Sequence, residues 1–404
     1  MRELSVYIHI PFCKSKCNYC NFYSRPLSEL KPVRGSAVFK QYAGLLIKEI
    51  EITSEKYSLE SSHINSVYFG GGTPSVMSVY FFRDLMGYIE KNFKIAGDAE
   101  ITVEINPESG GLEKLYALKS LGVNRLSIGA QSFNNAALKT AGRIHNKNDI
   151  YNAVNNAKKA GFKNISLDLI IGLPGQTKDI FYSDAKSIPG LEPAHISAYM
   201  LSVEKGTKFY EIRKKRKIKG FAFTPEEKIA EYYEILCRIL NEKGYKHYEI
   251  SNFAKNGYES RHNINYWNRG EYLGLGPSAS SFLKLEDGKE IRKTNVPNLK
   301  KYMQNISKKF YGCGNDNKDS ERNNDDFIEI LTEKDKINEE MFLSLRTASG
   351  INAKRLSELA GQEVYRKVIN KFIKEGLMEN FKDDIKLTHK GMLLSSEIFA
   401  RMMV

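Results

Sequence analysis

No apolar run in this sequence approaches the ~20 residues that a membrane-spanning helix needs. Met1-Arg2-Glu3-Leu4 shows none of the charged-then-apolar pattern of a secretory leader. Cysteine is scarce: of five thiols, three fall between positions 13 and 20, leaving only Cys237 and Cys313. An odd, clustered set excludes a disulfide framework and points to a reducing compartment, so a soluble, cytoplasmic protein is expected. Acidic residues fall short of basic ones, giving a formal charge of +13, yet no nucleic-acid-binding motif accompanies the excess. The densest basic run, Arg213 to Lys219, reads as a solvated loop. No nucleic-acid partner is expected, while the charge is compatible with an acidic ligand or weak association with a membrane surface. At 404 residues the chain can build one large domain and a smaller one.

What is present begins with Cys13-x3-Cys17-x2-Cys20, directly after a short apolar strand. One tight loop of this spacing can wrap a corner of a 4Fe-4S cube, and three thiolates hold three irons, leaving the fourth open to another ligand. Tyr19 and Phe22 supply apolar cover. Structural zinc is the alternative, but it wants four protein ligands, and no further His or Cys lies close in sequence.

Downstream, short apolar strands alternate with helical patterns, the signature of a parallel sheet wrapped by helices. Strands are expected at Leu4 to Ile10, Ser66 to Phe69, Glu100 to Ile105, Arg125 to Ile128, Ile165 to Ile170 and His195 to Leu201. Six strand-then-helix repeats suggest an α/β fold, an open (β/α)6 barrel with its chemistry at the strand C-terminal ends. Gly70-Gly71-Gly72-Thr73-Pro74 ends the second strand, where glycines let a ligand approach the backbone. Glu104, Gln131, Arg143 and Asp168 suit a ligand carrying an amine, a carboxylate and ribose hydroxyls. Tyr7 and His9, two apart on the first strand, should share its inward face.

The triplet and the glycine turn together resemble the radical S-adenosylmethionine (SAM) enzymes. That resemblance implies a TIM-like partial barrel, a 4Fe-4S cluster on Cys13, Cys17 and Cys20, and SAM chelated by the open iron. A reduced cluster then breaks the sulfonium bond to give a deoxyadenosyl radical, with an electron donor such as flavodoxin or ferredoxin implied. Tyr7 to Cys13, Gly70 to Pro74, Glu104 to Pro107, Asn124 to Phe133 and Asp168 to Gln176 resemble, more closely, the oxygen-independent coproporphyrinogen III oxidase family. Carried over by position, the likeness implies SAM contacts at Tyr7, Gly71, Gly72, Thr73, Glu104, Gln131, Arg143, Asp168 and Ala198.

Within that family the decarboxylating enzymes have a fourth cysteine where this chain has Phe22. Cys20-Asn21-Phe22 is similar instead to the HemW-type heme chaperone branch, as is His262-Asn263-Ile264-Asn265-Tyr266-Trp267, of the form H-N-x-x-Y-W. The branch implies heme as carried ligand and apo-cytochromes or other heme acceptors as partners. A porphyrin wants an imidazole, aromatic faces and cations, which His262, Tyr266, Trp267 and Arg261 or Arg269 can offer. Ser280 departs from the branch, which usually has histidine there. Two rivals stand beside this reading: an active coproporphyrinogen III decarboxylase, and a passive heme carrier whose cluster only holds structure.

The expected organisation is a core barrel over 1–235, a sheet extension carrying the second motif over 236–305, a polar linker or insert over 306–334, and a helix-rich domain over 335–404. In that last domain Met341, Leu345, Val364, Val368 and Phe372 recur at helical spacing, and a hairpin follows near Leu377 to Thr388, a winged-helix-like outline. In the family it covers the barrel mouth. Cys313, between glycines in the insert, is expected as a free thiol.

Overall fold

The computed structural model describes residues 2–30, 35–215, 221–311 and 326–403. Six parallel strands come first in the chain: β1 (Glu3–Ile10), β2 (His63–Gly71), β3 (Lys94–Ile105), β4 (Arg125–Gln131), β5 (Asn164–Ile171) and β6 (His195–Met200). They lie side by side in sequence order. The helices α1 (Gly35–Tyr57), α2 (Val79–Asn92), α3 (Leu112–Ser120), α4 (Lys147–Lys159), α5 (Lys178–Gly190) and α6 (Glu226–Glu242) follow them in turn, giving the expected six repeats.

Each strand has two faces with different chemistry. Leu4, Val6, Ile8 and Ile10 of β1 join Val67, Phe69, Val103 and Leu126 in one continuous apolar core. The intervening positions point into the barrel, and there the sequence is polar: Ser5 pairs with Ser66, Tyr7 with Tyr68, Glu104 with Ser127, and Asp168 with Ser197. Period-two alternation therefore drives the hydrophobic face against the helices and leaves a hydrogen-bonding interior. Tyr7 and His9 share that inward face as expected, with the Tyr7 hydroxyl 3.1 Å from His9 Nδ1.

The barrel stays open, and both edges are extended. Past β6 run two antiparallel strands, β7 (Lys246–Glu249) and β8 (Asn252–Ala254). The chain then crosses to the opposite edge through helix α7 (Arg261–Trp267), where β9 (Tyr272–Leu275) joins β1 in parallel. Antiparallel β10 (Ser280–Lys284), β11 (Glu290–Thr294) and β12 (Phe327–Ile330) complete a twelve-stranded sheet. Of the stretch 306–334, the start ends helix α8 (Leu299–Tyr311) and Phe327–Ile330 is a sheet strand; Cys313 and part of the Arg213 to Lys219 run lie outside the described residues.

From α9 (Glu333–Arg346) onward a second core forms around Met341, Leu345, Phe372, Ile385 and Leu387. It holds short helices and a three-stranded sheet with the hairpin Met378–Phe381 and Asp384–Leu387. This unit docks on β7: Thr347 bridges to Glu249, and Arg346 Nε lies 3.0 Å from the fully buried Glu249 carboxylate. Among the described residues no helix is long and apolar enough to cross a membrane.

Candidate functional site

The inward rows converge at the strand C-terminal ends on a cavity of about 430 Å³. The cysteine loop forms one wall. Its fixed point is Asn18, whose backbone N–H donates to Ala141 O at 2.9 Å and whose side chain donates to Thr140 O at 2.8 Å. Cys13, Cys17 and Cys20 are unpaired thiols that all line this cavity. Burial pushes the Cys13 thiol up and that of Cys20 to about 11, so a metal must displace their protons.

The glycine turn lies against the same loop. Gly72 N donates to Ile10 O and Thr73 N to Phe12 O, both at 2.8 Å, while Thr73 Oγ1 lies 3.5 Å from Cys13 Sγ. A Cβ on Gly72 would fall 2.7 Å from Phe12 O and 3.0 Å from Cys13 Sγ; Gly71, at φ +110°, has His9 ring atoms 2.5 Å from where its Cβ would be. These positions exclude any side chain, which keeps the space beside the thiols free. Three free thiols and a cradle without side chains fit three irons of a cubane.

The charged groups stand beside both. Arg143 is buried among Asn106 Oδ1 at 2.6 Å, Gly129 O at 2.9 Å and Cys17 Sγ at 3.4 Å. Glu104 accepts from the Tyr68 hydroxyl at 2.8 Å and Gly71 N at 3.1 Å. Burial, with the neighbouring Asp168 adding to it, raises the Glu104 carboxyl to about 7. Burial also raises Asp168, which accepts from Ser127 Oγ at 2.9 Å. A register shift between Ile128 and Gln131 bulges β4, and Gln131 adopts φ +65°, which turns its amide into the cavity.

Seven of the nine residues assigned to SAM thus meet here: Gly71, Gly72, Thr73, Glu104, Gln131, Arg143 and Asp168. Tyr7 and Ala198 do not. Ala198 lies on the outward face of β6, buried in the apolar core, and its neighbours Ser197 and Tyr199 line the cavity instead. Sequence reasoning also passed over Asn106, Ser127, Tyr68 and the buried Arg125, all of which line it. The signal available for Ser127, Tyr68 and Ser197 was the polar alternation itself.

Tyr7 belongs to a second cavity, of about 520 Å³, lined by His9, Phe22, Tyr266, Trp267, Arg269, Ser280, Phe282 and Arg292 among others. Phe22 and Asn21 line both cavities, and Phe22 is 69% exposed. Trp267 carries the Arg346 guanidinium 4.3 Å from its ring centroid. Arg269 is held by Glu290 at 2.5 Å and Glu339 at 3.1 Å.

His262 and Arg261 do not line this second cavity. The His262 ring points into the barrel interior, with Nδ1 2.8 Å from Ser66 Oγ and Nε2 2.8 Å from the Tyr266 hydroxyl. Both ring nitrogens are engaged, and burial lowers its pKa to about 3, so it is a neutral, satisfied histidine. It reaches there because Glu100 caps α7, accepting from Arg261 N and His262 N at 3.2 Å each. Arg261 turns outward to Asp98 at 2.8 Å.

Comparison with known proteins places the chain in a family. Residues 7–188 match the Radical SAM superfamily, and 331–394 match the HemN C-terminal domain. The chain is 36% identical over 399 residues to the heme chaperone HemW of Bacillus subtilis, covering 98% of each. With the Escherichia coli HemW it shares 33% identity, over 74% of this chain and 76% of that one. Among solved structures, the radical SAM coproporphyrinogen III oxidase (HemN) of Escherichia coli superposes with a TM-score of 0.78 at 25% identity, over 100% of this chain and 90% of that one.

Proposed function

We propose that this protein, which belongs to the HemW heme chaperone family of the radical SAM superfamily, carries heme in its second cavity and delivers it to apo-hemoproteins of respiration. Membership in the superfamily implies a 4Fe-4S cluster and SAM. Cys13, Cys17 and Cys20 would hold three irons; Arg143 and Gln131 would meet the carboxylate of SAM, with Glu104 and Asp168 on its amine and ribose hydroxyls. When bound, a reduced cluster supplies one electron to the sulfonium of SAM, and a flavodoxin- or ferredoxin-like donor would replenish it.

The observation that carries the chaperone reading is Phe22. It stands at the lip shared by the two cavities, exposed, where the decarboxylating relatives place a cysteine. An apolar plate laid against Phe22, Tyr266, Trp267 and Phe282 would cover these rings, with Arg269 and Arg292 near enough to the wall to meet propionates. His262 then acts by holding Tyr266 in place. Tyr7 would contact the porphyrin edge, and Ala198 would contribute backbone at the end of β6. A cytoplasmic location fits a chain without a spanning helix among its described residues, and the +13 charge supports weak attraction to an anionic membrane face where acceptors reside.

The test is transfer. Anaerobically reconstituted, heme-loaded protein mixed with an apo-cytochrome should lose its heme absorption as holo-cytochrome forms. Conversion of coproporphyrinogen to protoporphyrinogen with SAM and reductant would support the decarboxylase instead. Heme transfer undiminished in a Cys17→Ala variant that has lost deoxyadenosine formation would support the passive carrier.

A further inference from the structure

A third cluster of chemistry lies away from both cavities and shares no lining residue with either. Cys237 on α6, His247 on β7 and His389 each offer a ligand atom, and these atoms lie within 4.8 Å of one another. We propose that the three form a zinc site that clamps the C-terminal domain to the edge of the barrel.

The histidine at its centre is already set up as a ligand. His247 Nε2 lies 3.2 Å from Ile250 O; a carbonyl only accepts, so Nε2 carries the proton. The Tyr233 hydroxyl, 3.0 Å away, braces the same edge. Nδ1 therefore bears the lone pair, and it is buried without a partner. A ring with one nitrogen held by a carbonyl and the other free is the arrangement that orients metal-binding imidazoles.

The other ligands converge from different parts of the chain. His389 follows the capping residue Thr388 in the C-terminal domain, yet its ring stacks on that of His247 with centroids 5.5 Å apart and an angle of 18°. Cys237 is buried, and Glu234, one turn earlier on α6, lines the same cavity of about 460 Å³. One thiolate, two imidazoles and an open fourth position for Glu234 or water match the ligand types of zinc rather than of calcium or magnesium. In a tetrahedral site with bonds of 2.0–2.3 Å the ligand atoms sit ~3.3–3.6 Å apart, so loading needs a contraction of at most ~1.2–1.5 Å. His389 is the exposed one of the three, so the movement falls to it.

The experiment uses the cluster-reconstituted full chain, equilibrated with zinc, desalted and assayed for zinc and iron together. Wild type is expected to retain one zinc in addition to its iron, and cobalt in its place should show tetrahedral bands with thiolate charge transfer. His389→Ala, at an exposed position, and Cys237→Ser should each weaken zinc retention at least ~10-fold without loss of iron. His389→Cys should restore it, which separates a lost ligand from a lost fold. Equal zinc in wild type and His389→Ala, or a cobalt spectrum lacking thiolate charge transfer, would overturn the site.

Discussion

The Tyr266 hydroxyl lies 2.8 Å from His262 Nε2, so the histidine stands behind the tyrosine and faces Ser66 on its other side. The imidazole therefore shapes the wall of the second cavity from within the barrel. His262→Gln keeps a group able to bond Tyr266 but cannot ligate iron. In this variant the heme absorption band is expected at its wild-type position, with affinity weakened about 3-fold, ~0.7 kcal/mol. Loss of the band in this variant would make His262 the iron ligand.

Truncation of the rings that line the cavity should cost more. Trp267→Ala removes a large face that also carries Arg346, and heme retention is expected to fall ~10-fold or more, as deletion of a buried aromatic contact implies. Spectral titration of the variant with heme checks this, and unchanged affinity would move the heme elsewhere.

Arg143 is the guanidinium on which the first cavity depends. Lysine cannot reach Asn106, Gly129 O and Cys17 Sγ together, so Arg143→Lys should weaken SAM binding about 10-fold, ~1.4 kcal/mol, and change the electron paramagnetic resonance of the reduced cluster. Equilibrium dialysis under anaerobic conditions reads the first effect.

Much of this arrangement was legible in the sequence. Strand positions followed from apolar alternation, and the strand-end motifs named six residues of the first cavity, Arg143 apart, because parallel sheets present their C-terminal ends together. Asn106 and Ser127 escaped notice because a lone amide or serine has many structural uses. The Ala198 side chain sits one residue of register from Ser197 and Tyr199, which line the cavity, and in a strand that step separates the interior from the core. The placement of α7 and the pairing of β9 with β1 depend on contacts between residues ~200 or more apart, which no local pattern reports.

The Glu104 carboxyl gives a pH signature. Its folded pKa of about 7 lies above the ordinary 4.5, because of burial first and Asp168 second. The folded, ligand-free state thus binds the proton more tightly than the unfolded one, and stability present below pH ~4.5 is lost as pH rises through about 7. Glu104→Gln removes this dependence and should be more stable than wild type above pH 7, by up to ~3 kcal/mol. A cationic ligand favours the ionised carboxylate, so SAM affinity should rise between pH 6 and 8 in wild type and stay flat in the variant. Thermal melts and SAM titrations across that range check both.

Gly72→Ala places a methyl about 3 Å from Cys13 Sγ and closer still to two carbonyl oxygens. Overpacking there should destabilise the loop by ~1–3 kcal/mol and lower iron incorporation on anaerobic reconstitution, measured as iron per chain.

Mössbauer spectroscopy of the reconstituted, iron-57-labelled protein, recorded with and without SAM, reaches the centre of the account directly. Three thiol ligands leave one iron in four to exchange its ligands, so SAM should shift the signal of about a quarter of the iron and leave the remainder as it was. A spectrum indifferent to SAM, or one with no cubane signal, would contradict it.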